Sequence, residues 1–240
     1  MRLSLPALIL MGLIAICGAC GSGDNGDDGN RTTPPTPIVD PGPNESDLND
    51  YRQLVDFVVK DVDDYWRRTF ATVYENKPPY SGPEIKGEYT SEDDAPDCGG
   101  HEAPLKNAFY CPAGDYLAWD GPGLLFPFYQ AGDMGAALVI AHEWGHAIQQ
   151  RAGQILDVVT ILSELQADCF AGAWAADADG RGLLEPGDIE EAISALYRVR
   201  DPADTPWLDL AAHGNAGQRI NAFQDGFDSG PLKCKAKIPF

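Results

Sequence analysis

Ala136-Ala137-Leu138-Val139-Ile140-Ala141-His142-Glu143-Trp144-Gly145-His146-Ala147-Ile148-Gln149-Gln150 reads as one helix, with Asp133 as its N-cap and Gly153 as its stop. Residues four apart share a helix face about 6 Å apart along the axis, so His142 and His146 present two imidazoles to one metal ion. Glu143 falls beside that pair, placed to act on a water rather than to bind the metal. The apolar run before His142 is expected to be buried, which leaves the histidines facing a cleft. Gly145 weakens the helix slightly.

A catalytic zinc keeps three protein ligands and one exchangeable position, so a third ligand is needed. The chain has four histidines. The two outside the motif are His101, in a Gly-rich stretch, and His213, in a His-Gly-Asn segment, which makes a carboxylate on a second helix the stronger candidate. The stretch 158–176 reads as that helix. Within it Glu164 and Asp168 share a face while Cys169 points away, so Glu164 is a candidate ligand and Asp168 a candidate to orient an imidazole from behind. Glu164 lies among Ile161, Leu162, Leu165, Ala167 and Phe170, where burial demands a partner. The HExxHxxGxxH alternative fails, because position 149 is Gln and position 152 is Ala.

Four ordered blocks carry a resemblance: Asn107-Ala108-Phe109-Tyr110-Cys111-Pro112; Ala141 to His146; Glu164-Leu165-Gln166-Ala167-Asp168-Cys169-Phe170-Ala171-Gly172; and His213-Gly214 with Gln218-Arg219. Over roughly residues 50–234 the chain resembles the neutral zinc metallopeptidases of bacteria, within the broader group whose third ligand is a Glu. The resemblance implies an α+β fold, a mainly helical zincin-like domain with a small sheet or hairpin packed on the active-site helix. It also implies Zn2+ held by His142, His146 and Glu164, a general base at Glu143, and a supporting Asp168. Trp144 and Ala147 depart from the smaller or more polar residues expected there, and Trp144 is expected to narrow the cleft.

Asn107 to Asp120 reads as a strand or hairpin around a Pro-Ala-Gly-Asp turn at 112–115. The resemblance suggests that Asn107, Ala108 and Tyr110 bind an extended peptide through backbone hydrogen bonds; an ordinary core strand is the other reading. His213 is either a catalytic group that stabilises a tetrahedral oxyanion or a residue that merely precedes the helix expected over 215–227. Leu48 to Phe70 reads as a long amphipathic helix, and Asp188-Ile189-Glu190-Glu191 as a capping box opening a helix through Tyr197.

Met1-Arg2, the apolar stretch Leu3 to Ile16 and the small residues before Cys20 read as an export signal over 1–19, resembling a bacterial lipoprotein cleavage site with lipidation at Cys20. Residues 20–49, rich in Gly, Asp and Pro, are expected to form a disordered acidic tether, with the metallopeptidase domain over 50–240. Membrane association is then through the lipid anchor only, on the outer face of the cell membrane; simple secretion is the alternative. Cys98, Cys111, Cys169 and Cys234 remain, an even number in an exported chain, and disulfides are the default. Four cysteines permit three pairings; the favoured one joins Cys98 to Cys111, closing a local loop, and Cys169 to Cys234, tying the C-terminus to the metal helix, while zinc binding by the thiols is a rival that no CxxC pair supports.

About 190 residues after signal and tether suit one domain with a sizeable core. The net charge of −20, from 37 acidic against 17 basic residues, argues against nucleic acid as a partner. Asp177, Asp179 and Asp188 are a conceivable Ca2+ site, without the EF-hand pattern. The expected function is hydrolysis of internal bonds in a peptide or protein substrate, with Glu143 accepting a proton from water and passing it to the leaving amine. The alternatives are an exported zinc-binding lipoprotein without turnover and a hydrolase of non-protein amides. The sequence leaves the oligomeric state open.

Overall fold

A computed structural model describes residues 44–154, 160–202 and 212–235. The chain divides into two units, Met1–Pro41 and Gly42–Phe240, and the described residues all belong to the second. The expected export signal, Cys20 and the tether as far as residue 43 lie outside the described residues. The last part of the stretch assigned to the tether is helical instead. Asn44 caps the first helix, α1 (Glu45–Val73), by accepting from the Asp47 N–H at 3.0 Å, with Glu45 and Asp47 in the first turn. Capping and the helix dipole recruit these polar residues, which composition alone assigned to a tether. Tyr51, Val55, Val58, Val62, Tyr65, Trp66 and Phe70 recur every three or four residues along α1 and form its buried face.

Three strands follow, β1 (Glu84–Tyr89), β2 (Ala108–Cys111) and β3 (Tyr116–Asp120), in the order β1-β3-β2. β2 and β3 form the expected antiparallel hairpin, with Asp115 in the left-handed region at the turn (φ 52°). β1 pairs parallel to β3 and went unread in the sequence, because its residues are mostly exposed and lack an apolar alternation. β2 is left on an open edge of the sheet.

A π-helical turn (Gly121–Leu125) and α2 (Phe126–Ala131) lead into α3 (Asp133–Ala152), the helix of the HExxH motif. Gly132, not Asp133, is its N-cap, and the Met134 N–H is satisfied from outside by Glu191. Gly153 ends it as expected, in the left-handed conformation at φ 74°. α4 (Thr160–Gly180) is the expected second helix and runs four residues further than its sequence pattern; 158 and 159 lie outside the described residues. In α5 (Asp188–Arg198) the capping box does not form. Asp188 turns back to the Glu185 N–H, and Glu191 is drawn to α3. α6 (Ala216–Ser229) opens with a complete capping box between Asn215 and Gln218, and α7 (Pro231–Lys235) closes the described chain.

α3 lies against α1, α4, α5 and β2, which makes it the centre of the unit. Gly145 sets how closely α4 approaches, since a Cβ there would stand 2.7 Å from the Ala167 Cα. Disulfides join Cys98 to Cys111 and Cys169 to Cys234, the expected pairing. Trp144 does not narrow the cleft: it is buried in the main core, where its indole N–H donates to the Tyr80 hydroxyl at 2.8 Å. A one-residue step from Glu143 turns it about 100° around the helix, away from the metal face.

Candidate active site

α3 carries His142 and His146 one turn apart, with ring centroids 4.9 Å apart, and α4 brings Glu164 against both. The Nε2 of His142 lies 3.1 Å from one Glu164 carboxylate oxygen and the Nε2 of His146 lies 3.3 Å from the other. One ligand atom from each of the three residues falls within 4.8 Å of the others. Two imidazole nitrogens and a carboxylate form the donor set of a catalytic zinc site, and their convergence in a cleft leaves the open side such a site needs. The residues present therefore fit Zn2+.

What holds the rings is as informative as the ligands. His142 donates from Nδ1 to Asp168 at 2.8 Å, because an ionised carboxylate can only accept, and Nε2 is thereby left facing the centre. Asp168 is fully buried and is gripped by Arg219, whose Nε and one terminal nitrogen each donate to it at 2.8 Å. The other terminal nitrogen of Arg219 donates to the Val199 carbonyl, so no nitrogen of the buried guanidinium is left without an acceptor. Burial works against the charged form of Asp168, yet Arg219 and His142 hold its carboxyl below the usual range. Burial likewise opposes charge on His142, but Asp168 and Glu164 together outweigh it and push the imidazole up to about 10. Glu164 is held well below its usual value by the two histidines despite its own burial.

Glu143 does not join the ligand group. Its carboxylate accepts the backbone N–H of Tyr110 in β2 at 3.0 Å. The Asn107 carbonyl accepts from the Asp120 N–H, so residues 107 and 109 turn their backbone groups to β3, while 108 and 110 turn theirs to the open edge. The Asn107 carbonyl also accepts from the Tyr89 hydroxyl. Asn107 thus borders the cleft with that carbonyl already engaged, and the backbone groups turned to the open edge belong to Ala108 and Tyr110. The hairpin is tied to α3 at its turn, where Arg151 donates to both Asp115 oxygens and the Tyr110 hydroxyl donates to Asp115.

These groups border one cleft of about 570 Å3. β2 forms one side, and Leu124, Leu138, Val139, Leu196 and Val199 supply apolar surface. His213 also borders it, half-exposed, with Nδ1 3.5 Å from Asp201. Asp201 further accepts the backbone N–H groups of His213 and Gly214 at 2.5 and 2.8 Å. The suggested Ca2+ trio is not assembled: Asp177 pairs with Arg68 and Arg181, whereas Asp188 lies with Asp133 and Glu191.

Sequence reasoning missed two contributors. Arg219, in the fourth block of the resemblance, is the salt-bridge partner of Asp168, whereas Asp201, which ties the segment after α5 to the segment before α6, carries no periodic signal. Gln149 was read only as the residue that breaks a longer metal motif; it accepts from His146 Nδ1 at 3.0 Å.

A family model described as "Putative neutral zinc metallopeptidase" matches residues 8–236. The chain is 34% identical over 166 residues to the uncharacterized protein YpfJ of Escherichia coli K12, covering 57% of this chain and 56% of that protein. It is 30% identical over 151 residues to the uncharacterized protein Rv2575 of Mycobacterium tuberculosis H37Rv, covering 51% and 52% respectively. The chain thus spans about half the length of the curated relatives it matches. No solved structure matches it.

Proposed function

The chain belongs to the neutral zinc metallopeptidase family, and from that premise we propose that it is an endopeptidase of the cell envelope that hydrolyses internal bonds of extended peptides. One observation carries the reading: the general-base candidate, Glu143, is hydrogen-bonded to the same open strand that would bind substrate, beside three converging ligands. His142, His146 and Glu164 would hold zinc. Zinc bound there lowers the pKa of a water and polarises a carbonyl oxygen. Glu143 takes the proton of the attacking water and delivers it to the leaving nitrogen. Asp168 and Arg219 keep the His142 ring in its ligating tautomer. His213, steadied by Asp201, donates to the oxyanion that develops on the scissile carbonyl.

An extended peptide adds to the edge of β2 through the N–H and carbonyl of Ala108 and the carbonyl of Tyr110. Such pairing reads backbone rather than sequence, which favours a protein substrate. Leu138, Val139 and Leu196 favour an apolar side chain next to the scissile bond. The apolar stretch Leu3 to Ile16 and the small residues before Cys20 support export and lipid anchoring on the outer face of the membrane; Cys20→Ser should release the protein from the membrane fraction.

The test is zinc content together with cleavage of an unstructured protein, with products identified by mass. Glu143→Gln should keep one zinc and lose roughly 10²- to 10⁴-fold in turnover. Glu164→Ala should lose tight zinc binding. Wild-type turnover in Glu143→Gln would remove Glu143 from the chemistry. Tightly held zinc without cleavage in the wild type would instead favour a binding role.

A further inference from the structure

We infer that Gln149 is a positioning residue that fixes His146 as a metal ligand and locks it to Glu164 across the two ligand helices. The inference rests on the reading of His142, His146 and Glu164 as a zinc site. Gln149 is fully buried (0% exposed) and follows His146 by three residues on α3, on the same face. Its Oε1 accepts from His146 Nδ1 at 3.0 Å and from the Ser163 hydroxyl at 2.8 Å, and its side-chain nitrogen donates to the Ser163 carbonyl at 2.6 Å. Ser163 immediately precedes Glu164 on α4. One buried amide therefore joins a ligand on α3 to the neighbour of a ligand on α4.

The chemistry of the amide fixes its direction. Only its nitrogen can face the Ser163 carbonyl, so Oε1 is turned to His146. An acceptor at Nδ1 holds a ring proton there and leaves Nε2 as the nitrogen that faces the centre beside Glu164, where its lone pair would bind the metal. The two histidines are thus supported differently. His142 is backed by a carboxylate that Arg219 neutralises, whereas His146 is backed by a neutral group. A neutral acceptor orients the ring without adding an anion to a pocket that already holds Glu143, Glu164 and Asp168. A carboxylate at position 149 would set an oxygen against the Ser163 carbonyl, with no proton between them.

The experiment measures the zinc dissociation constant of the full chain by chelator competition, and the unfolding temperature of the metal-free protein. The proteins compared are wild type, Gln149→Met, Ser163→Ala and the double variant. Gln149→Met should weaken zinc binding roughly 10- to 100-fold, the usual effect of removing a group that orients a ligand. Ser163→Ala should weaken it roughly 2- to 10-fold, the loss of one neutral hydrogen bond. The double variant should bind no more weakly than Gln149→Met, since the Ser163 hydroxyl acts only through Gln149. A lower unfolding temperature with unchanged zinc affinity in both single variants would make Gln149 a packing residue and overturn the inference. Should Gln149→Met fail to fold, wild-type affinity in Ser163→Ala overturns it alone. A wild-type chain without tight zinc would remove the zinc site itself, an outcome distinct from tight wild-type binding that the variants leave unchanged.

Discussion

At Glu143, burial raises the carboxyl above its usual range, while the imidazoles of His142 and His146 and the Tyr110 amide pull it back. The balance suits a group that must take a proton and then give it up. The histidines are raised as well, but for the opposite reason: burial lowers both, and the neighbouring carboxylates, Asp168 and Glu164 at His142 and Glu164 at His146, together raise them by more. A histidine raised from its unfolded value of about 6.5 contributes stability that is fully present below that pH and is lost as pH rises through the folded value. For His142 that value is about 10. The metal-free protein should therefore lose thermal stability between neutral pH and about 10. Zinc competes with the same protons and should bind more tightly across that window. Unfolding temperatures of the metal-free protein and chelator competition, each run as a pH series, check the two opposite slopes. A metal-free protein whose stability is flat from neutral pH to about 10 would contradict the paired-histidine account.

Among the elements, α3 supplies two ligands and the base, and the helices packed on it supply the third ligand and the groups that hold the site in place. α4 delivers Glu164 and Asp168, and α6 delivers the Arg219 that neutralises Asp168. α4 and α6 can lie this close because Gly226 carries no side chain; a Cβ there would meet the Cys169 carbonyl oxygen at 1.8 Å. Replacing Arg219 by Met would leave the buried Asp168 carboxylate without its cation, a loss of about 3–5 kcal/mol. Denaturant unfolding should register that loss, and Arg219→Lys should recover part of it. A change within error for Arg219→Met would mean that Asp168 is neutralised some other way.

Across the whole molecule, the site depends on segments far apart in sequence being held at one place. Cys169, one residue after Asp168, is bonded to Cys234, so the last described helix is fastened behind the metal helix. Removing that bridge by a Cys169→Ala/Cys234→Ala double substitution should cost about 2–4 kcal/mol. Zinc stoichiometry should survive at low temperature, because neither sulfur touches a ligand. The unfolding temperature with and without the bridge measures this, and an unchanged value would leave the bridge without a stabilising role. Among the described residues no helix is long and apolar enough to cross a membrane.

The amino-acid sequence by itself determined the chemistry that depends on local spacing. His142, Glu143 and His146 are read from helix periodicity, Glu164 and Asp168 from the same rule on the next helix, and the hairpin from its turn residues. The helix stop at Gly153 follows from backbone preference, and the presence of disulfides from the even number of cysteines, whereas their pairing was chosen among three only by the tertiary structure. Only the tertiary structure decided what surrounds these groups. Glu191 leaves its expected cap to satisfy α3, Trp144 turns into the core, and Asn107 spends its carbonyl on β3 and Tyr89. Arg219, Asp201 and Gln149 take their roles from partners on other segments. The physical reason is one of range. Periodicity and capping act within a few residues, whereas a buried polar group must find its partner wherever packing brings one, and no local pattern records that search.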